Sequence, residues 1–208
     1  MTETDNKRKE HWENVYDTKG DREVSWYQEA PTTSLDLIGS LNLNKDASII
    51  DIGGGNSNLT GELLKKGYTN LSVLDISTKS LERTKAKLGQ DAGKVDWVVS
   101  DILDFKSKQQ YDLWHDRATF HFLTSGNDIA KYVDIVNHAV KKGGYMIIAT
   151  FSTSGPTKCS GLDITQYTKE KLKVIFNKGF ELIKAFEEVH HTPFNTNQNF
   201  IYTLFKKL

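Results

Sequence analysis

The sequence predicts an α/β fold built on a parallel sheet, on three observations. A buried strand ending in Ser48, Ile49 and Ile50 runs into a glycine turn, SIIDIGGGNSN, over residues 48–58. A second apolar run, Leu71, Val73 and Leu74, ends one βαβ repeat later at an acid, Asp75. A third, Val95 to Val99, delivers Ser100 and Asp101. Successive strand–helix units with acids at the strand ends describe an open sheet whose ligands bind outside the carboxyl ends of the strands, against helix N–H groups.

The elements follow in order. Asn6 to Tyr16 reads as a short amphipathic helix with Trp12, Val15 and Tyr16 on one side. In EVSWYQEAP, Val24, Trp26 and Tyr27 form an aromatic segment, and Pro31 bars an ordinary helix through it. Trp26 and Tyr27 are candidate substrate contacts, able to stack on a ligand or shield a cation; the alternative is packing of core or lid. Thr32 to Leu43 is expected as a helix presenting Leu35, Leu37, Ile38 and Leu41. After the first strand, Gly53, Gly54 and Gly55 allow positive φ and close approach to a ligand. Helix Ser57 to Lys66 then ends at Gly67, strand Asn70 to Leu74 leads into Asp75, and Ser77 caps a helix over Ser80 to Leu88. An acid at Asp75 is placed to accept two ribose hydroxyls, so one nucleoside fits between it and the glycine turn.

Tyr111 to Trp114 is a fourth strand ending in HDRATFHFL. His115, Asp116, Arg117 and His121 therefore stand at the carboxyl end of a central strand, the best place for chemistry. The alternative has Asp116 and Arg117 paired or capping the next turn, and His121 packed. Asn127 to Lys141 is a helix with Ile129, Val133, Val136 and Val140 inward, closed by Gly143 and Gly144, and Tyr145 to Phe151 is the fifth strand. The loop STSGPTKCSGLDIT lies on the crevice side and holds Cys159. Thr168 to Asn177 is the last helix, and Phe180 to Val189 with Phe200 to Phe205 form an antiparallel hairpin. His190 and His191 are too isolated for a metal site and read as strand-end polar residues; no metal is expected.

Composition narrows the classes. In 208 residues, 27 lysines and arginines balance 27 acids, so no global field favours nucleic acid or an anionic membrane. One cysteine forms no internal disulfide, which suits a reducing compartment. The charged start MTETDNKRKE resembles no signal peptide, and no apolar run reaches membrane-spanning length. One soluble, cytoplasmic domain is expected, with no nucleic-acid or membrane partner.

These residues resemble the class I S-adenosylmethionine-dependent methyltransferases. DIGGGNSN is similar to their DxGxGxG motif, with Ser57 in place of the last glycine. Asp75 in VLDIS matches the acid that holds the ribose, and Asp101 in VVSDIL the residue beside the adenine amino group. KKGGYMIIATF resembles the stretch entering the fifth strand, with Lys142 where proline is usual. The resemblance implies a single-domain, Rossmann-like, seven-stranded mixed sheet with helices on both faces and a C-terminal antiparallel hairpin, the last strand lying between the fifth and sixth. A helical cap over 1–43 would precede the core at 44–208. It implies S-adenosyl-L-methionine as cofactor, with Asp51, Gly53 and Gly55 on its methionine side, Asp75 on the ribose, Ile76 and Ile102 about the adenine and Asp101 at the amino edge. The methyl group then points to the end of strand four. There Asp116 is the candidate base, ahead of His115 and His121, and Arg117 joins Trp26 and Tyr27 on the acceptor side. A thiolate acceptor would need no base.

EVSWYQ with WHDRATFHFLT is similar to small bacterial methyltransferases and their eukaryotic relatives that methylate protein lysines, and to enzymes acting on thiols and other small acceptors. A small-molecule acceptor is expected ahead of a protein lysine. Two other classes compete: a nicotinamide-dependent oxidoreductase, from whose GxGxxG the GGGNSN run departs, and a cofactor-binding module without catalysis.

Overall fold

The computed structural model describes residues 3–208. The chain forms two compact units, one up to Phe105 and one from Lys106 to Leu208, and seven long strands make up the mixed sheet, three from the first unit and four from the second.

The first unit runs α1 (Glu3–Thr18), a 3-10 turn at Asp21–Glu23, α2 (Thr32–Ser40), β1 (Ser48–Ile52), α3 (Leu59–Lys65), β2 (Asn70–Asp75), α4 (Thr78–Leu88) and β3 (Val95–Val99). Its strands are parallel in the order β3-β2-β1, with Asp51 opposite Val73 and Asp75 opposite Val99. Every residue of β1 is buried, as expected for a parallel strand covered on both faces, which therefore reads as an apolar run. Ser77 caps α4 as predicted, its Oγ accepting the Ser80 N–H at 3.2 Å. The predicted helix to Leu43 stops at Ser40, because Asn42 turns left-handed at φ 50°. The helix expected from Ser57 starts at Leu59, because Ser57 belongs to the turn: its N–H donates to Gly54 O at 3.0 Å and its Oγ accepts from Leu59 N–H at 3.0 Å.

The second unit contains β4 (Tyr111–Arg117), α5 (Gly126–Ala139), β5 (Val140–Phe151), a small hairpin of β6 (Lys158–Cys159) and β7 (Leu162–Asp163), α6 (Lys169–Phe176), β8 (Phe180–His191) and β9 (Asn197–Lys207). Here β4 pairs parallel with β5, and β9 runs antiparallel between β5 and β8, the arrangement the resemblance implies. Three expectations are corrected. Strand four continues to Arg117, so His115 and Asp116 lie within it. Gly143 and Gly144 do not close α5; that helix ends at Ala139 and the glycines lie in β5, beside a register shift between Tyr111 and Leu113. Gly144 is needed there because a Cβ would stand 3.0 Å from Asp112 O. The buried stripe of α5 is Tyr132, Val136 and Ala139, rotated away from Ile129 and Val133. The loop after β5 holds the β6–β7 hairpin, turned by Ser160 and Gly161 at positive φ.

The second unit's core is aromatic. Phe120 sits 4.8 Å from Tyr132, 5.2 Å from Tyr167 and 5.4 Å from Phe176, and Phe176 meets Phe205 at 5.4 Å. Among the described residues no helix is long and apolar enough to cross a membrane.

Candidate active site

The first unit supplies a glycine turn pressed against two acids. Gly53 turns at φ 67° and donates its N–H to Leu74 O at 2.7 Å. A Cβ on Gly54 would lie 2.2 Å from Asp51 Oδ2; one on Gly55 would lie 2.0 Å from Ser80 Oγ and 2.6 Å from Asp75 Oδ2. Both positions exclude any side chain, and Gly54 joins the expected Gly53 and Gly55.

Asp75 is buried at the end of β2. Its Oδ2 accepts the Gly55 N–H at 3.0 Å and its Oδ1 the Ser77 N–H at 2.8 Å. Burial drives its pKa up to about 6 against the pull of these bonds and of the Ser80 hydroxyl, and Asp51 adds to the rise. A carboxylate has about four lone-pair sites, so these contacts leave part of its accepting capacity for a ligand. Ser100 N–H donates to Asp75 O at 3.0 Å and ties the next strand end to it. Asp101 follows, its Oδ1 accepting Leu103 N–H at 2.9 Å and its Oδ2 lying 3.1 Å from Arg8 Nη2. Ile102 is buried and Ile76 half-buried.

Helix α1 is fastened across these strand ends. The Glu13 carboxylate accepts Thr78 N–H at 2.7 Å, Ser77 Oγ–H at 3.0 Å and Lys79 N–H at 3.2 Å, at the N-terminus of α4 where the helix dipole favours an anion. Burial raises its pKa, but these hydrogen bonds outweigh burial and lower it on balance. Asn58 Nδ2 holds the aromatic segment by donating to Gln28 O at 2.9 Å. Trp26 packs edge-on against Trp12 at 5.8 Å and Tyr16 at 6.3 Å, so the three rings contact one another. Tyr27 lies under Arg22, whose Cζ is 5.8 Å from the ring centroid.

In the second unit Asp116 is fully buried. Its Oδ1 accepts the N–H groups of Thr119 at 2.9 Å and Phe120 at 3.2 Å, and its Oδ2 accepts Tyr132 O–H at 2.7 Å, which in turn accepts Trp114 Nε1–H at 2.9 Å. The carboxylate thus caps the turn after β4, the alternative that the sequence left open. Burial pushes Asp116 up to about 6 despite these donors and the nearby His115; Tyr132 is raised well above its ordinary value by burial and by Asp116. His115 is buried within β4.

Arg117 ends β4, half-buried, with Nε–H donating to Tyr202 O–H at 3.0 Å and Cζ 4.5 Å above the Phe200 ring. His121 is fully buried in the 3-10 turn Phe120–Phe122, and among the described residues neither ring nitrogen has a hydrogen-bond partner. Burial first, then the Arg117 charge, pushes it down to about 3, so it is a neutral imidazole. Unpaired buried polar atoms cost about 1–3 kcal/mol each, and few folds keep them without use.

The expected cofactor residues are thus gathered in the first unit, and His115, Asp116, Arg117 and His121 in the second. The reading from sequence did not single out Arg8, Glu13 or Tyr132. Tyr132 had a local signal, lying four residues before Val136 on the helix stripe. Glu13 had none, since its partners lie 64 to 66 residues away.

Comparison with known proteins bears on this arrangement. A family model described as "Methyltransferase domain" matches residues 43–205. The chain is 28% identical over 191 residues to EEF1A lysine methyltransferase 2 of Danio rerio, spanning 85% of this chain and 76% of that protein. It is 25% identical over 168 residues to malonyl-[acyl-carrier protein] O-methyltransferase 1 of Ilyobacter polytropus, spanning 76% and 61%. A solved structure of Burkholderia thailandensis 1,6-didemethyltoxoflavin-N1-methyltransferase, with bound 1,6-didemethyltoxoflavin and S-adenosylhomocysteine, shares the fold at TM-score 0.76 and 15% identity, covering 100% of this chain and 91% of that one.

Proposed function

The chain belongs to the methyltransferase domain family and is an S-adenosylmethionine-dependent methyltransferase, and from that premise we propose that it serves a small-molecule acceptor from a core at 44–208 capped by 1–43. When bound, the cofactor supplies an electrophilic methyl group on a sulfonium, open to in-line displacement by N, O or S. The carrying observation is the buried Asp75 beside a glycine turn that tolerates no side chain, its carboxylate held by two N–H groups and keeping accepting capacity for the ribose. Asp51, Gly53 and Gly55 take the methionine side, Ile76 and Ile102 the adenine faces, and Asp101 the amino edge beside Arg8.

Asp116 acts as a positioning residue: it fixes the Thr119–Phe120 turn and, through it, the place of His121. His121, too weak a base to hold a proton at neutral pH, orients the acceptor instead, and His115 supports the strand from within. Arg117 and Tyr27 are the acceptor contacts, while Trp26 shapes the wall from inside the aromatic cluster. A nucleophile that arrives already deprotonated needs no base. A reducing, cytoplasmic setting fits the single cysteine.

Calorimetry with S-adenosylmethionine tests the cofactor assignment. Asp75→Ala removes two hydrogen bonds to a charged group, at about 1.5 kcal/mol each, so binding should weaken about 100-fold or more. Equal binding by the variant would reject the assigned site. The similarity to a protein-lysine methyltransferase over 85% of the chain favours a second reading. Radiolabelled methyl groups from the cofactor, offered with a cell extract, separate the two: label in the small-molecule fraction supports the first reading, and label on protein lysines the second.

A further inference from the structure

The carboxyl ends of β4 and β5 carry a cluster of charged, aromatic and imidazole groups. Arg117 is held by two residues of β9: Tyr202, whose hydroxyl takes the Nε–H, and Phe200, whose ring lies under the guanidinium. Tyr202 is itself stacked on Phe186 of β8 at 5.7 Å and 7° between planes. The guanidinium is therefore fixed in plane and direction by a strand on which both supports stand two residues apart. Phe200 meets Phe151 at 4.8 Å, and the Phe151 ring lies 4.6 Å from His121, tilted by 31°. Phe122 meets the imidazole edge-on at 4.6 Å.

A fixed cation, two aromatic rings and a buried imidazole thus follow one another in contact within the second unit. Both His121 nitrogens lack a hydrogen-bond partner among the described residues, so the ring has one N–H and one lone pair to offer. Because the ring is neutral, it adds a donor without a second positive charge. A rigid guanidinium matches a planar oxyanion through paired N–H groups, and the aromatic walls strip water from the contact. An ammonium group would meet the Arg117 charge with repulsion.

We infer that Arg117 and His121 form the anchor for a carboxylate carried by the methyl acceptor, Arg117 pairing with the carboxylate oxygens and His121 donating its ring N–H. The inference rests on the methyltransferase reading and names the substrate class for it: small organic acids, ahead of amines. The carboxylate is a handle, and no bond to it is made or broken.

The test uses the full chain saturated with S-adenosylhomocysteine and four probes of one shape: benzoate, benzamide, benzylamine and phenyl phosphate, each titrated by calorimetry and by NMR of ¹⁵N-labelled histidine. Benzoate is expected to bind at least about tenfold more tightly than the other three, and to shift the His121 ring nitrogens. Arg117→Gln should bring benzoate down to the benzamide level, Arg117→Lys should fall between, and His121→Phe should weaken benzoate several-fold with benzamide unchanged. A cooperative melting transition and unchanged S-adenosylhomocysteine affinity show that the variants fold. Benzoate binding that is equal in Arg117→Gln, a preference for benzylamine or phenyl phosphate, or no saturation by benzoate at about 50 mM would overturn the anchor. If the parent chain fails to bind S-adenosylhomocysteine, the cofactor assignment fails separately; the same titrations on the ligand-free chain then decide the anchor alone.

Discussion

At Tyr132 one hydroxyl joins two buried groups that have no water to turn to. It accepts from Trp114 Nε1–H and donates to Asp116 Oδ2, both fully buried. Tyr132→Phe keeps the ring packing against Phe120 and Phe176 but strips both bonds. At about 1–3 kcal/mol for each buried polar group left unpaired, the variant should lose about 2–4 kcal/mol in urea unfolding. A loss below about 0.5 kcal/mol would mean that the Trp114–Tyr132–Asp116 chain does not hold the turn after β4. Gly54 and Gly55 make the complementary point at the same scale: what matters there is an atom the residue lacks, because the space for a Cβ is filled by Asp51, Asp75 and Ser80.

Among the elements, α1 depends most on distant partners. Its apolar face buries Val15 and Tyr16, while Glu13 caps α4, Asp17 lies 2.6 Å from Lys79 Nζ and Arg8 reaches Asp101. The exposed Asp17–Lys79 pair adds little. Glu13 binds three donors at a helix N-terminus, so Glu13→Ala should cost about 1–2 kcal/mol and speed hydrogen exchange along α1. The pH dependence follows from the lowered Glu13 pKa: the contribution is present above the ordinary carboxylate value and is lost as pH falls through the folded one. The exchange difference between parent and variant should therefore shrink as pH falls below the ordinary carboxylate range. A difference that persists in acid would assign the effect to packing.

For the whole molecule, buried ionisable groups set opposing slopes of stability against pH. Asp75 and Asp116 have folded pKa values of about 6 against an ordinary 3.8. Between those values the folded chain holds protons that the unfolded chain has released, so stability falls as pH rises, by up to about 3 kcal/mol per acid at 1.36 kcal/mol per unit. His121, at about 3 against 6.5, works the other way: from pH 6.5 downward the unfolded chain takes up a proton that the folded chain refuses, and stability is lost on acidification. In the parent the two trends partly cancel. His121→Phe removes one of them, so urea midpoints of the variant should decline more steeply from about pH 4.5 to 7 and exceed the parent most at acid pH. Parallel profiles would show that His121 is not held neutral by its surroundings.

The sequence by itself determined the repeating strand–helix units, the glycine turn with Asp75 and Asp101 at strand ends, the antiparallel last strand and the methyltransferase family, because each is written in local periodicity or short motifs. It also placed Asp116, Arg117 and His121 near one strand end. Tertiary structure alone decided what those residues do. Asp116 turned from an open acid into a cap because Tyr132, 16 residues away, takes its second oxygen. Arg117 acquired a fixed direction from Tyr202, 85 residues away, and His121 became neutral through complete burial. Motifs name the groups at a strand end; desolvation and hydrogen bonds from residues distant in the chain decide whether a group holds a proton, caps a turn or faces a ligand.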